Sequence, residues 1–584
     1  MAVEKLIVDH IDTWTTARQT RSTAGRGSSG KIDLYGIKKL RELILELAVR
    51  GKLVPQDPND EPASELLKRI AAEKAELVKQ GNIKKPKPLP EISEEEKPFE
   101  LPVGWEWVRF ETALDFSGGS QPPKSFFIEE PKEGYVQLIQ IRDLGEYPQP
   151  VYVPINKVTK LCTSEDILIG RYGASVGKVF WGKNGAYNVA LIKIDNSYNL
   201  YNNHFLFWLL KSPLGQNLFS GISRSAQDGF NKSDIAEKLL PVLSEKEQSK
   251  IVVRINDLMS LCDRLEQHSL TSLDAHQQLV ETLLATLTNS QNADELAENW
   301  ARISEHFDTL FTTEASIDAL KQTILQLAVM GKLVPQDPND EPASELLKRI
   351  AQEKAQLVKD GKIKKQKPLP PISDEEKPFE LPDGWEWCRL GELALKSEAG
   401  WSPQCENTPR SGEQWGVLKI SAVTWGEYQP EENKALPAHL SPREEFEVKE
   451  NDFLISRANT AELVARSVVV PEKTPGNLML SDKIIRFEFS SLVSAHYISL
   501  VNNSIFSREY YKEVAGGTSS SMKNVSRNQV SELLIGLPGY NEQLKIVENI
   551  VKYIQICEVL TSKIKSAQQT QLHLADALTD AAIN

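Results

Sequence analysis

The feature that most constrains this chain is a stretch of sequence that occurs twice. Residues 51–71 and residues 331–351 both read GKLVPQDPNDEPASELLKRIA. The similarity begins upstream, near residues 40 and 320, and continues to residues 107 and 387. A repeat with so long a period is not a solenoid of small units, so it indicates a duplicated half. The differences between the two halves therefore carry the information about function.

Two regions outside the repeat have a different character. Short strand-like runs broken by Gly, Pro and Asn follow residue 101 and predict an irregular, sheet-rich domain. A counterpart after residue 381 shares its opening residues and little else. At 584 residues the chain is too long for a single core. The predicted division is an N-terminal helical segment (1–100), a first variable domain (101–243), a long helix (244–288), a spacer that repeats the N-terminal segment (289–380), a second variable domain (381–538) and a second long helix (539–584).

Each variable domain is followed by a helix that begins with the pair Glu-Gln. Apolar residues alternate at intervals of four and three, which is the pattern of a coiled-coil seam. The two seams are Ile251, Ile255, Leu258, Cys262, Leu265 and Ile546, Ile550, Tyr553, Cys557, Leu560, continued by Val280, Leu283, Leu287 and by Ile564, Leu574, Leu578. Each helix has about 40 residues and a length of roughly 60 Å.

Because the two seams match, the simplest partner of each long helix is the other. We therefore predict an α+β fold. Its two irregular sheet-rich domains are separated by long helices that form an antiparallel coiled coil, with a pseudo-two-fold internal duplication. The antiparallel arrangement would place one variable domain at each end of the coiled coil.

The composition sets limits on location and partners. A formal net charge of −13 excludes a uniformly basic nucleic-acid binder but allows local basic faces on an acidic scaffold. Five scattered cysteines, never paired as CxxC, fit reduced thiols in the cytoplasm and argue against a zinc site or a disulfide framework. No apolar run approaches the roughly 20 residues that cross a bilayer, and the first residues do not resemble a signal peptide.

Common catalytic signatures do not occur in the sequence. We find no HExxH, GxSxG or EF-hand pattern and no Gly-rich loop after a strand. Gly25 and Gly30-Lys31 form part of a phosphate-loop pattern, but Ile32 stands where Ser or Thr is required, so a solvated linker is the better interpretation. Lys84, Lys85 and Lys87 alternate with prolines in a stiff strap, either a solvated connector or a contact to phosphates.

One paired motif points to a family. Residues 101–107 read LPVGWEW and residues 381–387 read LPDGWEW. We call each the tryptophan motif. The order of tryptophan motif, variable domain and Glu-Gln helix, present twice over nearly the whole chain, resembles the specificity subunit of type I restriction–modification enzymes. It resembles the longer branch of that family, in which the N-terminal segment duplicates the central spacer.

The resemblance implies a non-catalytic reader of double-stranded DNA. Each variable domain would be a target recognition domain for one half of a split, asymmetric sequence. The coiled coil would set the gap and dock two modification subunits, which bind S-adenosylmethionine and methylate adenine. Restriction subunits would cleave DNA with ATP and Mg²⁺, so no cofactor is expected in this chain. Two alternatives stay open: a protein-binding assembly scaffold without direct DNA readout, and a fused methyltransferase whose motifs have drifted.

The variable domains share one internal pattern, an apolar strand that begins with Asp and ends with Arg. It reads DILIGR at 166–171 and DFLISR at 452–457. An arginine at the mouth of a loop can fork onto guanine or clamp a phosphate. We therefore predict DNA contact for Arg171 and Arg457, with a salt bridge to a nearby carboxylate as the structural alternative.

Other predicted DNA contacts lie in polar loops, because Gln and Asn suit adenine edges and Arg and Lys suit guanine or phosphate. In the first domain they are Ser120, Gln121, Lys124, Gln140, Arg142, Tyr172, Arg224, Ser225, Gln227, Asn231 and Lys232. In the second they are Trp401, Ser402, Gln404, Lys419, Ser421, Asn459, Thr460, Ser519, Ser520, Ser521, Lys523 and Asn524. Trp105, Trp107, Trp385 and Trp387 belong to the shared part, so we predict that they are core anchors.

Overall fold

The computed structural model describes residues 3–21, 31–81, 89–196, 198–221, 230–519 and 522–583. The chain forms two compact units, and both long helices cross the boundary between them. Unit 1 contains Met1–Ser272 and Ser566–Asn584, and unit 2 contains Leu273–Lys565. The segmental boundaries predicted from the sequence are finer than this division and stay a prediction.

The elements of the first half follow the chain in order. The helices are Val3–Asp9 (α1), Ile11–Thr16 (α2), Tyr35–Val49 (α3), Ala63–Lys79 (α4), Phe110–Ala113 (α5), Asn203–Lys211 (α6), Pro213–Asn217 (α7), Lys232–Ile235 (α8) and Glu245–Asn289 (α9). The strands are Gln19–Arg21 (β1), Lys31–Asp33 (β2), Glu106–Arg109 (β3), Asp115–Gly118 (β4), Tyr135–Ile139 (β5), Tyr152–Pro154 (β6), Leu161–Cys162 (β7), Ile167–Gly170 (β8), Val179–Trp181 (β9), Gly185–Tyr187 (β10), Leu191–Asp195 (β11) and Leu239–Val242 (β12).

Within the described residues, the second half follows a similar order, without a counterpart of β1 and β2 and with an additional small sheet. The helices are Ala293–Glu305 (α10), Phe307–Leu310 (α11), Glu314–Val329 (α12), Ala343–Lys359 (α13), Leu390–Leu393 (α14), Ala495–Asn503 (α15), Ile505–Val514 (α16), Arg527–Ser531 (α17) and Tyr540–Ile583 (α18). The strands are Glu386–Arg389 (β13), Ala394–Ala399 (β14), Gly416–Leu418 (β15), Asn433–Ala435 (β16), Phe453–Ser456 (β17), Ala458–Asn459 (β18), Ser467–Val469 (β19), Leu478–Met479 (β20), Ile484–Phe489 (β21), Gly516–Ser519 (β22), Met522–Asn524 (β23) and Leu534–Leu537 (β24).

The repeated segment folds into a buried helix that ends on the tryptophan motif. The apolar residues of α3 recur at helical spacing and are buried. The helix stops at Gly51, whose φ of +67° is a left-handed conformation that glycine adopts without strain. A Cβ there would lie 2.4 Å from Cγ of Pro102. Gly331, with φ of +70°, meets Pro382 in the same way after α12.

The two variable domains share one plan although their sequences differ. We call residues 106–242 the first head and residues 386–537 the second head. The first head contains the sheets β6-β5-β10-β7 and β4-β11-β8-β9, and the pair β3–β12 joins its two ends. The second head contains β16-β15-β20, β14-β21-β17-β19 and a small sheet β18-β23-β22, and β13–β24 joins its ends. Each head includes one parallel pair, β5 with β10 or β15 with β20.

The first predicted seam is buried from Ile251 to Cys262 and half-buried at Leu265 and Leu283. Its neighbours include the repeated helix. Ile251, Ile255, Leu258 and Cys262 are buried in one core with α3 and with the end of α18. Arg41 of α3 forms ion pairs of 2.6 Å with Asp263 and Glu266 of α9. Tyr35 Oη donates a hydrogen bond of 2.7 Å to Asp576. Helix α3 therefore contacts both long helices within unit 1.

The second seam is correct only in part. Ile546, Ile550 and Cys557 are buried in unit 2, but Tyr553 is exposed and the neighbouring Ile554 is the half-buried residue. In unit 1, Leu574 is exposed and Ala575 is buried. The strict seven-residue spacing fails at these two positions because an α-helix with 3.6 residues per turn drifts away from it. Pairing of α9 with α18 along their whole length stays a prediction.

Candidate nucleic-acid interface

Each head has an edge where several loops converge, and strand pairing produces it. In the first head β11 runs antiparallel to β4 and β8, with Ile192 opposite Gly118 and Leu191 opposite Gly170. The ends of β4 and β8 therefore lie beside the beginning of β11. In the second head β21 lies between β14 and β17 in the same way. We call residues 188–190 and 480–483, which lead into β11 and β21, the connectors, and these converging loops the connector edge.

Three backbone hydrogen bonds hold each connector edge, and two of them, those of the arginine and of the residue after the glycine, have equivalent acceptors in both heads. In the first head the amides of Gly119, Ser120 and Arg171 donate to the carbonyls of Leu191, Tyr187 and Ala190, at 3.1, 3.1 and 2.9 Å. In the second head the amides of Gly400, Trp401 and Arg457 donate to the carbonyls of Ser481, Leu480 and Lys483, at 3.1, 2.9 and 2.7 Å. Arg171 and Arg457 therefore occupy equivalent positions on a common frame.

A glycine is required at one position of this frame. A Cβ on Gly119 would lie 2.0 Å from the carbonyl oxygen of Asn188, and a Cβ on Gly400 would lie 1.9 Å from that of Leu480. In both heads the clashing atom belongs to the backbone, so a side-chain movement cannot relieve the clash. Neither glycine was predicted from the sequence as part of the interface. The available signal was a glycine that follows the second strand of each head, β4 or β14.

Arg171 holds together residues that the sequence analysis predicted separately. Its Nε donates to the carbonyl of Phe230 at 3.2 Å, and its Nη2 donates to Oδ1 of Asn231 at 3.1 Å. The guanidinium also lies 5.4 Å from the ring centre of Tyr172. These partners are a carbonyl, an amide and a ring, and within the described residues Arg171 has no carboxylate partner of the kind that the structural alternative requires. Arg171 thus fixes the geometry of the first connector edge.

The other predicted contacts of the first head have different surroundings. Ser120 Oγ and Gln140 Nε2 are buried and form no hydrogen bond with the residues that the structure describes. Lys232 is paired with Asp115 at 2.9 Å and with Glu111 at 3.7 Å. Three side chains are exposed: Gln121, Lys124 and Arg142. Arg224, Ser225 and Gln227 lie outside the described residues.

A small sheet of the second head brings together residues that are distant in sequence. In it Ala458 and Asn459 lie opposite Asn524 and Lys523, and β22 ends at Ser519 opposite Met522. Arg457 directly precedes the sheet and is exposed, and Thr460 follows β18. The predicted residues on this sheet or adjoining it are Arg457, Asn459, Thr460, Ser519, Lys523 and Asn524. Ser520 and Ser521 lie outside the described residues.

Four of the five remaining predicted residues of the second head have partners within the head. Ser402 Oγ donates to the carboxylate of Asp482 and so ties the loop after β14 to the connector. The guanidinium of Arg443 lies 4.3 Å from the ring centre of Trp401. Lys419 Nζ lies 3.6 Å from Glu432, which also accepts a hydrogen bond of 2.6 Å from Ser421. Gln404 is exposed.

The aspartate of the shared strand pattern forms ion pairs inside each head. Asp166 pairs with Lys193 at 3.4 Å, and Asp452 pairs with Arg486 at 2.8 Å. Arg486 also donates to the carboxylate of Glu398 at 2.5 Å. Burial alone would lower the pKa of Arg486, but its hydrogen bonds to the two carboxylates outweigh burial and raise that pKa. These charges stabilise the sheet and are not free for DNA.

The tryptophan motif fixes each head to the start of a long helix. Trp105 Nε1 donates to Glu247 at 2.9 Å, and Trp385 Nε1 donates to Glu542 at 3.1 Å. Trp105, Trp107 and Trp385 are buried and Trp387 is half-buried, so the prediction of core anchors is confirmed. The second residue of each Glu-Gln pair bonds to the head: Gln248 Oε1 accepts from the amide of Asn202, and Gln543 Oε1 accepts from that of Ser494.

Replacing Glu247 or Glu542 by glutamine is expected to stabilise the protein at neutral pH. Burial raises the pKa of each carboxyl above its ordinary value of 4.5, which outweighs the opposing hydrogen bond from the indole. The folded state therefore binds more protons than the unfolded state between the ordinary and the raised pKa. Stability of the parent falls as pH rises through that interval and stays lower above it.

The measurement is the melting temperature across about pH 4 to 8. Glutamine keeps an acceptor for the indole and carries no charge. Each variant should therefore melt a few degrees higher than the parent at neutral pH. Its melting temperature should also not show the decrease with rising pH that is expected for the parent. Glu245→Gln, at an exposed position of the same helix, is the matched control. Equal melting curves for parent and variants at neutral pH would contradict this expectation.

Sequence reasoning also missed two buried arginines and two exposed rings. Arg109 pairs with Glu96 at 2.8 Å, and Arg389 pairs with Glu376 at 3.0 Å. Each follows the second tryptophan of its motif by two residues, and that shared spacing was the available signal. The loops after the 3-10 turns Ile141–Leu144 and Ile420–Val423 expose Tyr147 and Trp425. No sequence pattern distinguishes exposed rings of this kind from core residues.

The described ranges contain neither a membrane-spanning helix nor a metal-binding cluster. No helix in those ranges combines the length and apolar character that crossing a membrane requires. The same ranges contain no group of three or more His, Cys, Asp or Glu side chains arranged to hold a metal ion.

Comparison with known proteins gives a consistent result. Residues 102–275 match the family model described as the type I restriction modification DNA specificity domain. The chain is 54% identical to the specificity subunit of the type I restriction enzyme EcoEI and 51% identical to that of EcoAI, both from Escherichia coli. Each alignment covers 100% of both chains.

A solved HsdS subunit from Thermoanaerobacter tengcongensis is 16% identical. The alignment covers 84% of this chain and 98% of that one, with a TM-score of 0.40. The assignment therefore rests on the two full-length relatives. By that likeness the chain belongs to the specificity subunits of type I restriction–modification systems, which recognise DNA sequence and leave catalysis to other subunits.

Proposed function

We propose that each head reads one half of a bipartite DNA sequence through the loops of its connector edge. The observation that carries this proposal is a common frame with different side chains on it. Two backbone hydrogen bonds recur at equivalent positions in both heads, yet Ser120 of the first head stands where Trp401 stands in the second. A fixed frame with variable side chains is suited to presenting different base contacts in the same pose. Because the heads differ, the proposed site is asymmetric.

The second head offers the clearest set of readers. Arg457 is exposed beside a sheet that carries Asn459, Lys523 and Asn524. An arginine can fork onto O6 and N7 of guanine, asparagine onto N6 and N7 of adenine, and lysine can reach a phosphate. This cluster would give a local basic and amide-rich surface on a chain whose formal net charge is −13. In the first head the exposed Gln121 and Arg142 would take the corresponding roles.

The remainder of the chain would supply spacing and assembly. The helices α9 and α18 would set the distance between the two half-sites and dock two modification subunits. Restriction subunits would join that complex. We propose that this chain holds no cofactor, and that S-adenosylmethionine, ATP and Mg²⁺ are bound by its partners. The five free cysteines suit a complex that works in the cytoplasm.

Replacing Arg457 by alanine tests the proposed readout. In the complex with modification subunits, the variant should bind the cognate duplex more weakly by about 1–3 kcal/mol, or roughly 5- to 150-fold. Discrimination at one or more base pairs of the second half should be lost because a base contact is removed. The measurement is competition binding with duplexes altered at each base pair of both halves.

The control is Arg264→Ala, which removes an exposed arginine of α9 outside both heads. This control variant should show parental affinity and parental discrimination at both half-sites. Parental affinity for the Arg457→Ala variant, or a loss of discrimination confined to the first half, would contradict the assignment. A scaffold that binds only proteins would show no half-site effect in either variant.

A further inference from the structure

Two clefts with matching walls open beside the tryptophan motifs, one in each unit. Their volumes are about 670 Å³ in unit 1 and about 770 Å³ in unit 2. The same nine positions of the repeat line both clefts, and the lining differs in type at one of them, where Glu94 corresponds to Asp374. That substitution keeps a carboxylate in place. Both halves thus present the same cleft beside heads of unlike sequence.

The charge of the clefts is acidic. In unit 1 three carboxylates, those of Glu94, Glu100 and Glu106, surround one ammonium group, that of Lys97. Lys97 pairs with Glu94 at 2.6 Å, as Lys377 pairs with Asp374 at 2.5 Å in unit 2. Two exposed carboxylates are left over in each cleft, and within the described ranges they have no ion pair. Such a wall repels phosphate, so it does not suit DNA.

The floor of each cleft is aromatic. Phe99 lies edge-to-face against Trp107, with 5.1 Å between ring centres, and Phe379 lies at the same distance from Trp387. A lysine or arginine side chain can rest its aliphatic stem on such rings and direct its charge to carboxylates at the rim. The walls and floor together therefore fit a basic side chain of a protein partner.

Two of the three carboxylates in each cleft form no hydrogen bond or ion pair within the described ranges. The tryptophans of the motif already bond to Glu247 and Glu542, which accounts for them structurally. Glu106 and Glu386, in contrast, are exposed at the first positions of β3 and β13. Their presence in both halves is explained if the two clefts meet the same partner. The heads, which differ, cannot be the reason.

We propose that each cleft receives a lysine- or arginine-bearing segment of a modification subunit, so that one chain holds two such subunits through equivalent contacts. This inference rests on the proposed function, in which two modification subunits dock on the long helices, and it adds the cleft beside each head as a further contact that each subunit requires. The docking contact would then be independent of which DNA sequence the neighbouring head reads.

The test uses the full chain with its modification subunit and counts subunits by native mass spectrometry. Glu106→Lys and Glu386→Lys should each reduce the complex from two modification subunits to one, and the double variant should retain none. The affinity at each altered cleft should fall about tenfold or more, because like charges meet at the interface. Glu73→Lys, at an exposed position of α4 outside the clefts, is the matched control and should keep two.

The outcomes separate the two levels of the proposal. If the double variant still holds two modification subunits at parental affinity, the clefts are not the docking surface, while the proposed function stands. If the parent chain itself holds no modification subunit, the proposed function fails. Melting curves show whether the lysine variants are folded. If a lysine variant is not folded, the isosteric double variant Glu106→Gln/Glu386→Gln is used in its place. This double variant should bind the modification subunit more weakly at both clefts. Parental affinity for it would likewise show that the clefts are not the docking surface.

Discussion

Replacing Gly119 by alanine is expected to abolish sequence-specific binding through the first head, and Gly400→Ala should do the same in the second. The added Cβ would lie 2.0 Å from the carbonyl oxygen of Asn188 in one case and 1.9 Å from that of Leu480 in the other. Real Cβ atoms essentially never come within 3.0 Å of such an atom. The backbone must therefore move, and the frame around the connector moves with it.

This backbone movement would disrupt the hydrogen bonds that hold the connector edge together. The amides of Gly119 and Ser120 donate to Leu191 and Tyr187, and both bonds lie within one residue of the new methyl group. Forcing extra volume into a close-packed backbone contact costs about 1–3 kcal/mol or more. Because the loops of the edge share this frame, we expect DNA affinity to fall about 100-fold for the altered head, or about 3 kcal/mol.

Binding to duplexes altered in one half at a time measures this effect. Gly119→Ala should remove discrimination in the first half and retain it in the second, and Gly400→Ala should do the reverse. Gly145→Ala and Gly476→Ala are matched controls, because the nearest atom to the new Cβ lies at 3.5 and 3.7 Å, an ordinary contact. Full affinity and discrimination in both glycine variants would contradict the role assigned to the connector edge.

Features that depend on neighbours along the chain were predictable from the sequence. Letter-for-letter repetition revealed the duplicated half, and the buried seam from Ile251 to Cys262 followed from spacing alone. The tryptophans could be assigned to the core because they lie in the part that does not vary. Tyr553 and Leu574 were assigned wrongly because a seam inferred from a strict period takes no account of helical drift.

The connector edge was not predictable because distant strands create it. Gly119, Arg171 and Ala190 meet only once β11 lies between β4 and β8, and no local pattern specifies that order. For the same reason the partners of Arg171, a carbonyl and an amide in the segment around residue 230, were not foreseen. The acidic clefts were not predicted either, because the sequence pattern of their charged residues is typical of solvent-exposed surface residues.

Exchange of residues 101–243 for the matching domain of another specificity subunit should change one half of the recognised DNA sequence completely and leave the other half intact. The exchanged segment contains both strands of the pair β3–β12, so the new head keeps the strand pair that joins its two ends. The exchange leaves Glu247 and Gln248 in place, and these residues form the hydrogen bonds that attach the first head to α9. The tryptophan motif is replaced by a related one, so the attachment should form as before.

The measurement is a genome-wide map of methylated adenines in cells that contain the exchanged chain and its modification subunits. The account predicts methylation at sites with a new first half, the original second half and the original spacing. Methylation at sites in which both halves differ from those of the parent, or at the unaltered parental sites, would contradict it.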